Sequence, residues 1–382
     1  FAFLNEQIGS GYFEELIQKY ILDNPHGAIV VIKPEKGRTA RLDKELAERL
    51  QEYKKSLSEA EVEKIVADTK ELIAYQEEPS TKEELEAIPV LEIEDISKEI
   101  APIYNEELHL ADTLVVHHDV ETNGISYLSL MFDLSDVPEE QLPYVGILQS
   151  VIGMIDTNNY AYGELFNEIN MSTGGIGTSL EVYPNVTKVS EKEFEVKTKA
   201  LYDKLPVAFQ MIRELLMESK FEDEKRLEEI LALLKSRLQM KFQSSGHMTA
   251  VLRAMSYRSP MSQFKDLTNG IAFYEKVCKI ADHFEEEKAA LIMNLKKLSE
   301  QIFRADNMII SCTSRKEGLE ELEKLIRELK NGIYQGTADH TPCILHCEKK
   351  NEGFQTASKV QYVARTGNFM EEGLDYTGAL QI

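Results

Sequence analysis

The chain of 382 residues contains no tryptophan and only four cysteines, and its 43 basic residues are outnumbered by 66 acidic ones. Four cysteines are too few for a disulfide scaffold in a chain of this size, so the composition predicts a reducing compartment. The net charge of −23 argues against nucleic acid or an anionic membrane as a partner, because both bind basic surfaces. It favours basic ligands or solubility alone.

The sequence also lacks the common catalytic motifs. It has no G-x-S-x-G, no phosphate-binding loop and no complete H-x-x-E-H, in which two histidines on one helix face hold zinc and the glutamate is the general base. No histidine occurs between residues 119 and 246. No signal peptide or transmembrane run is present. Because the chain begins with Phe1 rather than methionine, we expect it to be a piece of a longer protein.

One incomplete zinc motif lies in "LVVHHDVETNGISYLSLMFDL" (114–134), where Thr122 follows His118 and Glu121. The stretch is rich in strand formers, and Asn123-Gly124 is a strong hairpin-turn signal. Residues three apart on a strand point to opposite faces, so His118 and Glu121 cannot share one ion. We therefore interpret them as ordinary hairpin residues.

Two other groups offer metal-binding side chains. Glu287 takes the place of the second histidine after His283, on a helix whose neighbouring charges are typical of a solvated face. The segment "HTPCILHCEKK" (340–350) contains two histidines and two cysteines but has no second half at zinc-site spacing. In both places metal binding is the alternative, and a solvated helix or a strand is the favoured interpretation.

The pattern of apolar residues predicts an α+β protein with an antiparallel sheet flanked by helices, preceded by a helical hairpin linker. A helix and a strand (10–22, 27–37) come first, then two helices (41–77) with a capping box at Ser58, then a linker (77–102). The following domain has a hairpin (112–134), helices (137–154, 160–170), strands (178–184, 193–201), helices (205–219, 222–243, 246–258, 272–302), a strand (307–314) and a helix (316–330). Two more strand-like segments (341–348, 358–366) follow.

The order of these elements, with the strings "HDVETNGISYLSLMFDL", "LFNEINMSTGGIGTSLEVYP", "FRADNMIISCTS" and "VQYVARTGNF", resembles the presequence-protease branch of the pitrilysin/insulinase zinc peptidases. The resemblance covers nearly the whole chain. It implies four related α+β domains in two halves that close around a chamber. On that mapping residues 1–37 end an upstream domain, 38–105 form the hairpin and linker, 106–335 form a non-catalytic domain, and 338–382 begin a further domain.

The resemblance also implies a degenerate copy of the zinc motif in "YVGILQSVIGM". Aligned on the family, Gly146 and Ser150 take the places of the two histidines and Gln149 takes that of the general base. Glycine offers no ligand, serine is a poor zinc ligand, and a neutral amide cannot take a proton from water. We therefore expect no catalytic and no metal-binding residue in this chain.

The glycine-rich "STGGIGTSLEVYP" (172–184) corresponds to the edge strand on which catalytic domains of the family bind substrate by β-augmentation. Its Gly174, Gly175 and Ile176 form a candidate chamber-lining strand. The alternative is a glycine bulge at a sheet edge. The family's substrate-positioning Arg and Tyr would lie past Ile382.

The resemblance implies that the parent protein is a zinc metalloendopeptidase that degrades unstructured peptides, with zinc bound upstream of Phe1. This chain would form a non-catalytic wall and hinge of the chamber, with the missing N-terminal half as its partner. The charge suggests capture of basic peptides. The alternative is a non-catalytic structural or peptide-binding member of the superfamily. We expect a bacterial cytoplasmic location, with an organelle matrix as the alternative.

Overall fold

The computed structural model describes residues 2–33, 35–97, 99, 102, 104–184, 190–337, 343–356 and 360–375. The chain divides into two compact units, Phe1–Ile100 and Ala101–Ile382. The finer division into four domain segments stays a prediction.

The first unit is helical. The two helices predicted for 41–77 form, and the second begins at the predicted capping box, where the Ser58 amide donates to Glu61 Oε2 over 2.8 Å. Its predicted strand (27–37) is wrong: residues 28–33 are irregular and exposed, because no other segment of this unit offers a strand to pair with. No described residue of this unit is buried. The α-helices are α1 (Ala2–Glu6), α2 (Tyr12–Ile17), α3 (Arg38–Ser56), α4 (Glu59–Glu77) and α5 (Lys82–Glu86), and a π-helical turn (Gln18–Leu22) extends α2.

The second unit is built on a six-stranded sheet in the order β1-β2-β6-β3-β5-β4. Its neighbours are antiparallel except β2 and β6, which are parallel. The α+β class predicted from sequence is confirmed. The strands are β1 (Glu106–Leu110), β2 (Thr113–Asp119), β3 (Ile125–Asp133), β4 (Ile176–Pro184), β5 (Ser190–Leu201) and β6 (Met308–Ser314).

The predicted hairpin over 112–134 is wrong in its pairing. The turn forms as predicted, with Asn123 and Gly124 at φ of 54° and 79°. However, β2 and β3 are not neighbours, because β6 lies between them and pairs with both. A turn signal therefore identified the reversal of the chain but not the strand that fills the space between its two arms.

The helices of this unit are close to those predicted, with three differences. The helix expected over 272–302 is broken at His283, a helix over Pro260–Asn269 was missed, and β1 was missed inside the predicted linker region. The predicted strands of 341–348 and 358–366 are not formed in their described parts, 343–348 and 360–366. The α-helices are α6 (Leu142–Val151), α7 (Tyr162–Ser172), α8 (Leu205–Met217), α9 (Glu224–Ser244), α10 (Gly246–Ser256), α11 (Pro260–Asn269), α12 (Ile271–Asp282), α13 (Phe284–Ile302) and α14 (Leu322–Gly332).

The core lies between one face of the sheet and the helices. Alternate residues of β3 are fully or nearly buried, as expected for a strand with one covered face. At its centre the Phe303 ring meets Phe132 and Phe194 edge-on, with centroids 5.3 Å and 5.1 Å apart. This geometry suits the charge distribution of aromatic rings.

The opposite face of the sheet carries a row of carboxyl groups. Asp133, Glu193 and Glu181 lie directly opposite one another on β3, β5 and β4. Burial, and next the charges of Asp133, Glu191 and Glu195, raise the pKa of Glu193 from its ordinary 4.5 to about 8. The folded chain therefore holds a proton between pH 4.5 and 8 that the unfolded chain releases, so stability is lost as pH rises through this window.

Replacing Glu193 by glutamine should remove this loss. We expect E193Q to raise the free energy of unfolding at pH 8.5 by about 1–2 kcal/mol, since neighbouring carboxyl groups share the titration. At about pH 4.5 the two proteins should differ little, because Glu193 is then protonated as well. Urea unfolding at the two pH values measures the difference. E107Q, the same change at an exposed position of β1, is the control; an equal effect from both would contradict the assignment.

Candidate functional site

A groove of about 700 Å³ lies where the end of α6 meets β4, the strand at one edge of the sheet. Helices α9, α11 and α12 supply its other walls. Gln149 and Ser150, two of the three predicted degenerate motif positions, line it. The remaining lining residues are Ile152, Met154, Thr178, Ser179, Leu180, Glu181, Ile230, Leu233, Leu234, Arg237, Leu238, Lys241, Leu252, Lys265, Thr268, Asn269 and Phe273.

Helix α6 places its two polar residues at the groove because the rest of it is apolar. A 3-10 turn (Glu139–Gln141) leads into it, and Pro143 lies in its first turn, where its missing N–H is not needed. Every residue from Leu142 to Leu148 is buried. Gln149 and Ser150 are only partly buried, so the polar end of the helix faces the groove.

Gly146 lies one turn before Ser150 and has no room for a side chain. A Cβ built there would lie 2.7 Å from Cε2 of Phe273 and 2.7 Å from the backbone oxygen of Thr268. The Phe273 ring, itself buried, fills the space that a larger residue at 146 would need. A histidine cannot be accommodated at this position without moving α11 and α12.

Gln149 and Ser150 are both engaged in hydrogen bonds. The Gln149 amide nitrogen donates to the Thr178 backbone oxygen (3.0 Å), and the Thr178 hydroxyl donates to the Gln149 backbone oxygen (3.2 Å). The Ser150 hydroxyl donates to the Gly146 backbone oxygen over 2.9 Å. These residues join α6 to the edge strand. They offer no anionic ligand and no base, so the three positions do not fit a zinc ion.

The candidate chamber-lining residues lie just outside this groove. Gly175 has φ of +97°, a conformation that favours glycine, and its backbone oxygen accepts from the Thr198 hydroxyl (2.9 Å). The Gly174 amide donates to the Lys199 backbone oxygen. Ile176 begins β4 and packs against the core. The strand borders the groove with its later residues 178–181, and a chamber-lining role for Gly174, Gly175 and Ile176 stays a prediction.

The incomplete zinc motifs have ordinary structural partners. His118 contacts the Tyr104 backbone oxygen and the Ser311 hydroxyl, both at 3.2 Å. Glu121 accepts from Arg315, and Glu287 pairs with Lys279 at 3.0 Å.

The cysteine-rich segment gives no metal centre in its described part. His346 Nδ1 lies 3.2 Å from Glu139, while His340 is outside the described residues. Across the part of the chain that the structure describes, no group of three or more His, Cys, Asp or Glu could hold a metal ion.

The structure also brings together a serine, a histidine and a carboxylate that sequence reasoning did not connect. His117 Nε2 lies 3.5 Å from the Ser314 hydroxyl, and its Nδ1 lies 3.8 Å from Glu106. His117 and Ser314 are 0% exposed, so no substrate can reach this hydroxyl. The group therefore belongs to the core. It arises because parallel pairing of β2 and β6 sets two strands 197 residues apart side by side.

Sequence reasoning also missed the basic wall of the groove. Arg237 and Lys241 lie one turn apart on α9, and Lys265 lies on α11. The signal was present, since the groove-facing residues of α9 recur at helical spacing: 230, 233, 234, 237, 238 and 241.

Comparisons with known proteins identify relatives along the whole chain. Residues 32–280 match the family described as peptidase M16, subfamily C, associated. The chain is 33% identical to the protein HypA of Clostridium perfringens over 99% of its own length and 39% of that protein. It is 23% identical to presequence protease 1, chloroplastic/mitochondrial, of Arabidopsis thaliana over 99% of its length and 35% of that protein. The chain thus spans less than half of these relatives.

Solved structures give weaker likenesses. Pitrilysin matches with a TM-score of 0.46 and 15% identity, over 65% of this chain and 25% of that one. An inactive domain of an M16 peptidase from Pseudomonas fluorescens matches with a TM-score of 0.44 and 13% identity, over 65% and 54%. Among the described residues, no helix is both long and apolar enough to cross a membrane.

Proposed function

This chain belongs to the family associated with subfamily C of the M16 peptidases, and from that premise we propose that it is the non-catalytic part of a zinc metalloendopeptidase that degrades unstructured peptides. In the whole protein it would form a wall and hinge of the chamber in which peptides are cleaved. Zinc would be bound upstream of Phe1, where its water would attack the peptide bond. The names of relatives such as presequence protease 1 support a peptide substrate.

The observation that carries the proposal is the groove at α6 and β4. It keeps a helix beside an exposed strand edge, an arrangement suited to an extended peptide. At the same time Phe273 fills the space beside Gly146, so the helix cannot carry a pair of histidines. A peptide-binding surface that cannot hold zinc is what a non-catalytic wall requires.

The proposed surroundings follow the same premise. The substrates would be unfolded or short peptides, and the net charge of −23 supports attraction of basic ones at long range. We place the protein in a bacterial cytoplasm, as a relative in Clostridium perfringens supports, or in an organelle matrix.

The proposal is tested on the full-length protein that contains this chain. We expect cleavage of an unstructured fluorogenic peptide, loss of cleavage when zinc is chelated, and recovery when zinc is returned. A protein that binds the peptide but does not cleave it with zinc present would support the alternative, a peptide-binding member of the superfamily. Neither binding nor cleavage of unstructured peptides would overturn both. Cleavage without any effect of salt or of basic residues would remove only the charge preference.

A further inference from the structure

The groove beside β4 carries positive charge in a strongly acidic chain. Arg237, Lys241 and Lys265 line it, and within the described residues no carboxylate is paired with any of them. Lys241 donates to two neutral oxygens of Asn269, at 3.1 Å and 3.0 Å. With 66 acidic residues against 43 basic ones, three neighbouring cations without acidic partners are unexpected unless a ligand supplies the anion.

The acidic residue in the lining does not neutralise this wall. Glu181 lies 3.9 Å from Lys197, which also contacts Glu195 on the outer face of the sheet. Burial lowers the pKa of Lys241, as expected for an ammonium group with no anion beside it.

The edge of β4 offers the complementary backbone groups. The Thr178 carbonyl points away from β5, because it accepts from Gln149 on α6. Backbone direction alternates along an antiparallel strand, so the N–H and C=O of Leu180 point to the same open side. An extended peptide can pair with these groups, whereas a nucleic acid has no such ladder of amides.

The rest of the groove is apolar. Leucines 233, 234 and 252 lie beside the cations and can cover the aliphatic part of a peptide. The occupant that fits backbone edge, apolar wall and unpaired cations together is an extended peptide segment bearing carboxylates.

We propose that this groove binds a carboxylate-bearing extended segment of peptide, with its backbone along β4 and its carboxylates on Arg237 and Lys265. This deepens the proposed function, on which it rests, by giving the non-catalytic domain a selective subsite. The preference is local. The net charge acts on the whole peptide at long range, while the groove acts on the side chains in contact with it.

The test uses the full-length protein with zinc chelated, so that binding is measured without cleavage. Two labelled unstructured peptides of equal length and net charge are compared by fluorescence anisotropy. One contains a Glu-rich segment balanced by lysines elsewhere, and the other contains glutamines in place of both. We expect the Glu-rich peptide to bind several-fold more tightly and to lose this advantage at high salt.

The double variant R237Q/K265Q should weaken binding of the Glu-rich peptide about tenfold and leave the neutral peptide within about twofold, since each lost contact is a partly exposed ion pair. K297Q, at an exposed position of α13 outside the groove, is the matched control and should change neither.

Equal binding of the two peptides, or an equal loss for both in the double variant, would overturn the subsite while the peptide-binding function stood. Binding of neither peptide to the unsubstituted protein would instead overturn the proposed function. Inhibition by millimolar inorganic phosphate alike for both peptides would show an anion site that does not select peptides, and would also overturn this proposal.

Discussion

Replacing Gly146 by alanine is expected to lower the free energy of unfolding by about 2 kcal/mol, because the added methyl group overpacks a close-packed site. The new Cβ would lie 2.7 Å from both the Phe273 ring and the Thr268 backbone oxygen. The backbone oxygen belongs to α11 and cannot rotate away as a flexible side chain could. Urea unfolding followed by circular dichroism measures the loss, which should exceed the gain in helix propensity that alanine normally brings.

The matched control is G163A. Gly163 also lies in a helix, α7, but nothing lies within 4 Å of a Cβ built there. Alanine should therefore stabilise the protein slightly at 163, by at most about 1 kcal/mol, and destabilise it at 146. Equal, favourable effects at both positions would show that the space beside Gly146 is open, and the argument against a histidine there would fail.

The same packing means that the zinc motif cannot be rebuilt by substitution of Gly146, Gln149 and Ser150 alone. A histidine at 146 would also have to displace Phe273, which is 2% exposed and part of the core. The alignment with the family predicted the loss of ligands at these positions. It could not predict the ring that fills the space, because Phe273 lies more than a hundred residues further along the chain.

The fold shows a similar division between local and distant information. Turn residues and periodicity located β3, β4, β5 and most helices, since these signals act over a few neighbours. They could not show that β6 lies between β2 and β3, because strand order depends on contacts between distant segments. The wrong hairpin and the unrecognised Ser314–His117 contact have this one cause.

The groove was predictable in part. The register placed Gln149 and Ser150 together with the strand that follows the glycines, and Gln149 contacts Thr178 on that strand. The cations were not predictable, because Arg237 and Lys265 lie on helices read only for their apolar faces. Polar residues on an amphipathic helix are usually solvated, so sequence alone gives no reason to single out two of them.

Replacing Arg253 by alanine is expected to lower the free energy of unfolding by about 3–5 kcal/mol, because it leaves a buried charge unpaired. Arg253 Nη1 donates to Asp266 over 2.6 Å, and its Nε and Nη2 donate to Glu352 over 2.8 Å and 3.0 Å. The Asp266 side chain is 1% exposed. Its other oxygen accepts from the Ile271 amide, so it also joins α11 to α12. Urea unfolding measures the loss.

The contact to Glu352 gives the same variant a second, local readout. Arg253 links α10 to the segment 343–356, and the hydrogen bond to Arg253 lowers the pKa of Glu352. In R253A, amide hydrogen exchange should therefore speed up in that segment even where the global fold persists. R327A, which removes an exposed pair with Glu323 on α14, should change stability by less than about 0.5 kcal/mol. If the two substitutions had similar effects, the Arg253 pair would be no more than a surface contact, and the segment would have to be held by its apolar residues instead.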